Sequence, residues 1–225
     1  MEALKHKVAI ATVYGRSYYK IINALKLMEL QFVSLSPEQA AMSNAKIIIT
    51  TKDEADIVKR KDIVLDTELD NYPVLIKAKI LRNVMGYYQD DQLTIGVDPG
   101  HRIGISVIYF HNEIASMVES SPDSVIQLIS VLLSGIISTK KILRIGDGNI
   151  SMAKYIASII KGRFNNLVRI EIVNEYGTSL PSKTDINRRG ARDVSSARAI
   201  ALRMGRCFNS CATHPSSVKL KGELQ

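Results

Sequence analysis

The sequence predicts an α/β protein in which a small, mostly parallel sheet is followed by a larger mixed sheet. Two observations support this fold class. Between residues 7 and 86, short apolar runs alternate with helical patterns, which is typical of parallel βαβ units. From residue 93 onward, three strand-like runs follow one another before any helix, and the whole order is β-β-β-α-β-α-β-α.

The first unit contains four strand candidates separated by helical segments. The strands are predicted over Val8–Val13, Phe32–Leu35, Ala45–Thr50 and Asp62–Leu65. A helix with regular apolar spacing is predicted over Ser17–Leu30. Ser36 and Pro37 begin a second, short helix as its N-cap and its first-turn proline. No glycine-rich nucleotide-binding motif follows any of these strands, so we do not expect a nucleotide site here.

The second unit carries five strand candidates and three helix candidates. The strands are predicted over Thr94–Val97, Ile103–Phe110, Glu113–Val118, Lys141–Ile145 and Val168–Val173. The helices are predicted over Ser121–Ile137, Ser151–Phe164 and Ala191–Met204. The dipeptide His111-Asn112 predicts a two-residue turn and therefore an antiparallel hairpin.

The polar, aperiodic stretch 87–92 separates the two units. We therefore predict a small α/β domain over residues 1–90, a mixed-sheet domain over residues 93–206 and a basic tail over residues 207–225. The tail holds Cys207, Cys211 and His214, but three ligands at this spacing match no closed zinc site, and we interpret them as ordinary tail residues.

Composition excludes membrane and disulfide-framework classes. The chain is 46% hydrophobic and 23% charged, as in ordinary folded proteins, and no apolar run is long enough to cross a membrane. Two cysteines cannot form a disulfide framework, and the N-terminus lacks the apolar core of a signal peptide. We expect a soluble, cytoplasmic protein without a membrane partner.

The net charge of +8 is concentrated near the C-terminus. Residues 182–225 carry nine basic and three acidic side chains. Clustered arginine suits phosphate because its planar fork binds two oxygens at once, so we expect a nucleic-acid partner; the alternative is a solvated helix face with a loose basic tail. The candidate nucleic-acid-binding residues are Lys183, Arg188, Arg189 and Arg192 before the last helix, and His101 after the first strand of the second unit.

Four acids follow strand ends or begin a helix of the second unit. Asp98 ends the first strand, Asp147 and Glu175 follow the fourth and fifth, and Asp193 lies in the first turn of the last helix. The carboxyl ends of parallel strands share one edge of a sheet, so these acids are expected to converge. Clustered carboxylates repel one another unless a cation lies between them, and oxygen ligands favour Mg²⁺ or Mn²⁺.

Each of three acids also has a plain structural interpretation. Asp147 lies between two glycines and is compatible with an ordinary turn. Asp193 is compatible with a favourable charge at a helix N-terminus, and Glu175 with an ion pair to an arginine of the last helix. Asp98 is the hardest to explain without a partner, because a carboxylate at the end of a buried strand is costly.

Three segments resemble one known superfamily. Residues 95–106 (IGVDPGHRIGIS) resemble the first strand and hairpin of the RNase H-like superfamily, and within it the RuvC/YqgF-like branch of Holliday-junction resolvases. Val173–Ser179 is similar to the segment of that branch in which the fifth-strand Glu is followed by hydroxyl residues. Arg189–Ala197 is similar to the loop and Asp-headed helix that close its active site. The resemblance covers about residues 93–206.

This resemblance implies a metal-dependent endonuclease that acts on structured nucleic acid, with branched DNA favoured over RNA. It implies two Mg²⁺ or Mn²⁺ ions and a homodimer. Asp98, Glu175 and Asp193 take the positions of metal ligands, and Asp147 takes a catalytic position where RuvC-type enzymes have a Glu.

Two departures leave a second interpretation open. Asp147 is one methylene shorter than Glu, and a single acid heads the last helix where RuvC-type members can have two. A weakly active or inactive nucleic-acid-binding or assembly protein on the same fold is therefore the main alternative. An actin-like nucleotide-binding protein is a third, but it needs a second Asp-x-Gly phosphate hairpin, which the N-terminal half lacks.

Overall fold

A computed structural model describes residues 7–70, 72–86, 91–176 and 189–208, with residues 189–192 described by their backbone alone. The predicted α/β class is confirmed, since strands and helices alternate along two separate sheets. None of the helices in these ranges combines the length and the apolar character needed to cross a membrane.

The first sheet has four parallel strands in the order β2-β1-β3-β4. They are β1 (Val8–Ala11), β2 (Val33–Leu35), β3 (Ile47–Thr50) and β4 (Ile63–Leu65). The helices between them are α1 (Gly15–Leu27), α2 (Pro37–Ala41) and α3 (Ala55–Val58). Every residue of the two central strands is buried, which explains why both are continuous apolar runs in the sequence.

Helix α4 (Pro73–Met85) was not expected from the sequence, and it packs against the cores of both sheets. Ile76 and Ile80 belong to the core of the first sheet, whereas Ala78 belongs to the core of the second. A helix buried on two sides has no single apolar stripe, and so it lacks the periodic signal that predicts a helix.

Asp91 anchors α4 to the second sheet. It is buried and forms an ion pair with Arg82 of α4, and its Oδ1 accepts the backbone N–H of Thr139 at 2.6 Å. Residues 87–90 of the polar stretch that we predicted as a boundary lie outside the described residues.

The second sheet has six strands in the order β10-β9-β8-β5-β6-β7. They are β5 (Gln92–Pro99), β6 (Ile103–Tyr109), β7 (Asn112–Glu119), β8 (Lys140–Gly146), β9 (Arg169–Val173) and β10 (Arg206–Cys207). The helices are α5 (Pro122–Gly135), α6 (Ile150–Phe164) and α7 (Arg189–Leu202). Strands β5, β8 and β9 are parallel, and β6, β7 and β10 pair antiparallel with their neighbours.

The hairpin turn of this unit is displaced by one residue from the position that the sequence predicts. The hairpin turn is Phe110-His111 rather than His111-Asn112, because Asn112 already pairs with Tyr109 as the first residue of β7. Both turn residues have positive φ, as the tightest hairpin turns require.

The last helix also differs from its expected bounds. α7 begins at Arg189, so Asp193 lies in its second turn rather than its first. Cys207 is an exposed free cysteine in β10, paired with Glu171 of β9, and is therefore part of the sheet rather than of a tail.

The two faces of the second sheet are covered differently. Side chains that alternate along the strands, such as Leu93, Ile95 and Val97, pack on one face into an apolar core with α4, α5 and α6. The intervening positions face α7 and include two glycines. A Cβ at Gly96 would overlap the backbone oxygen of Ala197, and one at Gly104 would overlap that of Asp193, so α7 lies directly on the strands.

Candidate active site

Three of the four predicted site acids converge at the carboxyl edge of the second sheet. Asp98 lies near the end of β5, Glu175 follows β9, and Asp193 projects from α7. Burial, followed by the negative charges of Glu175 and Asp193, raises the pKa of Asp98 to about 6, although a hydrogen bond from Ser196 partly offsets the rise. The three carboxylates are therefore close enough for Glu175 and Asp193 to disfavour the charged form of Asp98.

The glycines under α7 set the position of Asp193. Because Gly104 and Gly96 lack side chains, the α7 backbone contacts β5 and β6 at residues 193 and 197. Asp193 and Ser196 are consequently held over Asp98, and the close contact of helix and sheet requires glycine at both positions.

The segment Gly146-Asp147-Gly148 positions Glu175. The N–H of Asp147 donates to the carbonyl of Val173 at 3.0 Å, and its Oδ1 accepts the N–H of Glu175 at 3.0 Å. The N–H of Gly148 donates to Oε1 of Glu175 at 2.9 Å, and a Cβ at either glycine would overlap the Glu175 carboxylate. Asp147 thus acts on the loop that carries Glu175, and it is not among the charges that raise the pKa of Asp98.

Asp193 carries a buried carboxylate oxygen that no described residue hydrogen-bonds. Within the described part of the chain, its Oδ2 is buried and accepts no hydrogen bond, and Nε of Arg102 lies 3.7 Å from it. A buried carboxylate oxygen without a partner is costly and is compatible with a ligand that the chain does not itself supply.

Oxygen donors of this kind suit a hard divalent cation in their chemistry. In the arrangement that the structure describes, however, no group of three or more His, Cys, Asp or Glu side chains is placed to hold one metal ion together. An ion bound here would need to draw the three carboxylates closer to one another. The residues fit a metal by donor type and by the unsatisfied oxygen of Asp193.

The predicted nucleic-acid-binding residues are only partly described. His101 is exposed in the turn between β5 and β6. Lys183 and Arg188 lie outside the described residues, and Arg189 and Arg192 are seen as backbone in the first turn of α7. Cys211 and His214 also lie outside them.

Sequence reasoning missed a buried ion pair that fixes the end of α7. Arg144 Nε is 2.9 Å from Oε2 of Glu171, and the Arg144 guanidinium donates to the carbonyl of Ala201 at 2.6 Å. Burial alone would raise the pKa of Glu171, but hydrogen bonds from Arg144 and Gly205 and the charges of Arg144 and Arg169 lower it below its ordinary value. Arg144 and Glu171 are directly opposite in the β8–β9 register, a signal that is readable only once the register is known.

Arg102 and Ser196 were missed as well. Arg102 lies beside the Asp-Pro-Gly turn in the sequence, but its contact with α7 depends on how the helix is placed on the sheet. Ser196 follows Asp193 by three residues, so both lie on one side of the helix, and this spacing is a signal that the sequence does carry.

No protein-family model matches the chain, and no curated protein matches it. One similar solved structure is described as the crystal structure of Aa-Ago with externally bound siRNA; it is 9% identical, with a TM-score of 0.26 over 74% of this chain. The alignment spans about a third of that protein (34%).

Proposed function

We propose that this chain is a metal-dependent phosphodiester hydrolase with an RNase H-like second domain, similar to RuvC/YqgF-like resolvases. The central β5 with β6 and β7 on one side and β8 and β9 on the other supports this fold, as does the element order from β5 to α7. The observation that carries the activity is the convergence of Asp98, Glu175 and Asp193 at one edge, where burial and then the charges of the other two acids raise the pKa of Asp98 to about 6.

The acids have distinct roles in this proposal. Asp98, Glu175 and Asp193 would hold Mg²⁺ or Mn²⁺, two ions being expected, and Asp147 would keep the Glu175 loop in place through the backbone of Glu175. Bound divalent metal supplies Lewis acidity toward the phosphate and an activated water. The hydroxyl of Ser196 would restrain the orientation of Asp98 by its hydrogen bond.

We infer that the substrate is structured nucleic acid, with branched DNA favoured and RNA as the other option. The excess of basic residues toward the C-terminus supports a polyanionic partner. Arg189 and Arg192 belong to the N-terminal turn of α7, four and one residues before Asp193, and the exposed His101 follows Asp98 by three residues. A homodimer would match the two-fold symmetry of a four-way junction.

The second candidate is a nucleic-acid-binding protein without hydrolase activity. Arg102 already places a positive charge against Asp193, and the Asp147 carboxylate accepts a backbone hydrogen bond from the Glu175 loop. Both observations are compatible with a site whose charges are balanced by the protein itself.

Cleavage assays distinguish the two. Four-way junctions, linear duplexes, single strands and RNA are incubated with Mg²⁺ or Mn²⁺ and either the wild-type protein or Asp98→Asn. We expect metal-dependent cleavage that falls at least about a hundredfold in Asp98→Asn, since that change removes a ligand charge and keeps the side-chain size. Asp123→Asn on α5 is the matched control, because Asp123 bonds only to Tyr155 at 2.8 Å in the described contacts. Cleavage that survives Asp98→Asn rules out the hydrolase, and binding without cleavage supports the second candidate.

A further inference from the structure

Arg102 lies against one of the three site carboxylates. Its Nε is 3.7 Å from Oδ2 of Asp193, the buried oxygen that accepts no hydrogen bond from any described residue. This separation is within reach of Coulomb attraction but too long for a hydrogen bond. The Arg102 side chain is 55% exposed, so its charge rather than its packing accounts for its place beside Asp193.

We propose that Arg102 is a built-in counter-cation of the site. Its positive charge balances Asp193 while no metal ion is bound, and its guanidinium moves to a phosphate oxygen when metal and nucleic acid bind. This inference rests on the proposed function, because it assumes that the site carboxylates take a divalent cation and that nucleic acid lies across them. It assigns Arg102 two alternating partners, a carboxylate and a phosphodiester.

The chemistry of the pair suits such an exchange. A guanidinium binds carboxylate and phosphate oxygens through the same planar fork, so the two partners are interchangeable for it. Exposed ion pairs are weak and are readily displaced. Asp98 lies at the end of β5, and Arg102 follows it by four residues in the turn to β6, so a phosphate facing Asp98 is within reach of this long, exposed side chain.

A second ion pair that involves α7, the helix that carries Asp193, provides a matched control. Nε of Arg198 is 3.6 Å from Oε2 of Glu113, and the exposed fractions of the two side chains are 59% and 23%, against 55% and 26% for Arg102 and Asp193. The pairs differ in two respects: Oε1 of Glu113 accepts a hydrogen bond from Ser106 at 2.6 Å, and Glu113 is not among the acids that raise the pKa of Asp98.

The first measurement is Mn²⁺ binding by calorimetry, without nucleic acid, for wild type, Arg102→Gln, Arg102→Lys and Arg198→Gln. Removing a competing cation should tighten Mn²⁺ binding in Arg102→Gln about two- to fivefold. Arg102→Lys keeps the charge and should keep the wild-type affinity, and Arg198→Gln should also match wild type. Circular dichroism verifies that the exposed substitutions leave the fold intact.

The second measurement is the affinity for a labelled four-way junction in Ca²⁺ at several salt concentrations. Arg102→Gln should bind more weakly, and the slope of log Kd against log salt should be smaller by about 1, as expected for one lost phosphate contact. Arg198→Gln should keep the wild-type slope.

The outcomes separate this inference from the proposed function. Equal Mn²⁺ affinity in wild type and Arg102→Gln overturns the counter-cation, even if the wild type cleaves nucleic acid. Mn²⁺ binding by Arg102→Gln alone supports the counter-cation and contradicts a hydrolase role for the wild type. If neither protein binds Mn²⁺, both proposals fail, and an unchanged salt slope in Arg102→Gln rules out the phosphate partner.

Discussion

The two faces of the second sheet solve the same packing problem in opposite ways. Toward α4, α5 and α6 the strands present apolar side chains, and the helices are held by burial of nonpolar surface. Toward α7 the same strands present glycines, hydroxyls and charged groups, and the helix is held by close backbone contact and polar bonds at several strands.

This difference shows how one sheet can separate stability from chemistry. The apolar face tolerates shape-conserving changes because nonpolar packing is not directional. The polar face depends on direction, because each contact with α7 also sets where Asp193 and Ser196 lie relative to Asp98. Substitutions at neighbouring residues of a single strand are therefore expected to affect the protein differently, one through core packing and the other through the position of α7.

The largest expected effect comes from adjacent residues of β8 that point to opposite faces. Leu143→Ala on the apolar face should lower the free energy of unfolding by about 2–5 kcal/mol, because it leaves a cavity in the core. Arg144→Met on the polar face should cost about 3 kcal/mol, since it leaves the buried Glu171 with only Arg169 as a salt-bridge partner among the described residues. Urea denaturation measures both.

A double variant tests whether the buried charges of the polar face contribute to stability or only to the position of α7. Arg144→Met combined with Glu171→Leu removes both buried charges and should recover most of the stability lost in the single variant. The C-terminal end of α7 should remain less stable than in wild type, because the hydrogen bond from Arg144 to the carbonyl of Ala201 is absent. Amide hydrogen exchange in α7 should then remain faster than in wild type. A double variant as unstable as Arg144→Met would show that the polar face needs its charges for stability.

A smaller effect is expected from Gly104→Ala. The new Cβ would overlap the backbone oxygen of Asp193 and should push α7 off β6, at a cost of about 1–3 kcal/mol. Moving Asp193 away should also lower the pKa of Asp98 from about 6 toward its ordinary value, which NMR titration can follow.

Gly162→Ala is the matched control for that change. Gly162 lies in α6, and a Cβ there would meet nothing within 4 Å, so alanine should be neutral or stabilising by up to about 1 kcal/mol. The pKa of Asp98 should not move in this variant. If Gly104→Ala also leaves that pKa unchanged, close contact of helix and sheet is not what couples Asp193 to Asp98.

The contrast between the faces also explains what could be predicted from the sequence. Strand alternation and strand ends can be recognised from the local sequence pattern. These patterns were enough to predict that Asp98, Glu175 and Asp193 lie at one edge of the sheet. The sequence predicts Asp193 in the first turn of its helix, because the arginine-rich segment before it gives no sharp helix start.

The remaining features depend on contacts between distant parts of the chain. Helix α4 is buried on two sides, so its apolar residues form no single stripe. The pairing of Arg144 with Glu171 depends on the register of β8 and β9, and the contact of Arg102 with Asp193 depends on where α7 packs on the sheet. Local sequence patterns encode neither. Asp147 looked like a site acid by position, and only the structure reveals its bond to the backbone of Glu175.

The smallest expected effect is a pH-dependent gain in stability on replacing Asp98. Its pKa is about 6 in the folded protein against an ordinary 3.8, so the folded state binds the proton more tightly than the unfolded state does. The stability that Asp98 contributes is therefore complete below about pH 4 and is lost as the pH rises through about 6. Asp98→Asn, which cannot ionise, should equal wild type near pH 3.5 and exceed it by about 1 kcal/mol at pH 8, a figure reduced for solvent screening. Thermal unfolding across this range in metal-free buffer measures the difference, and a gap that stays constant with pH would mean that charge repulsion at the polar face does not oppose folding.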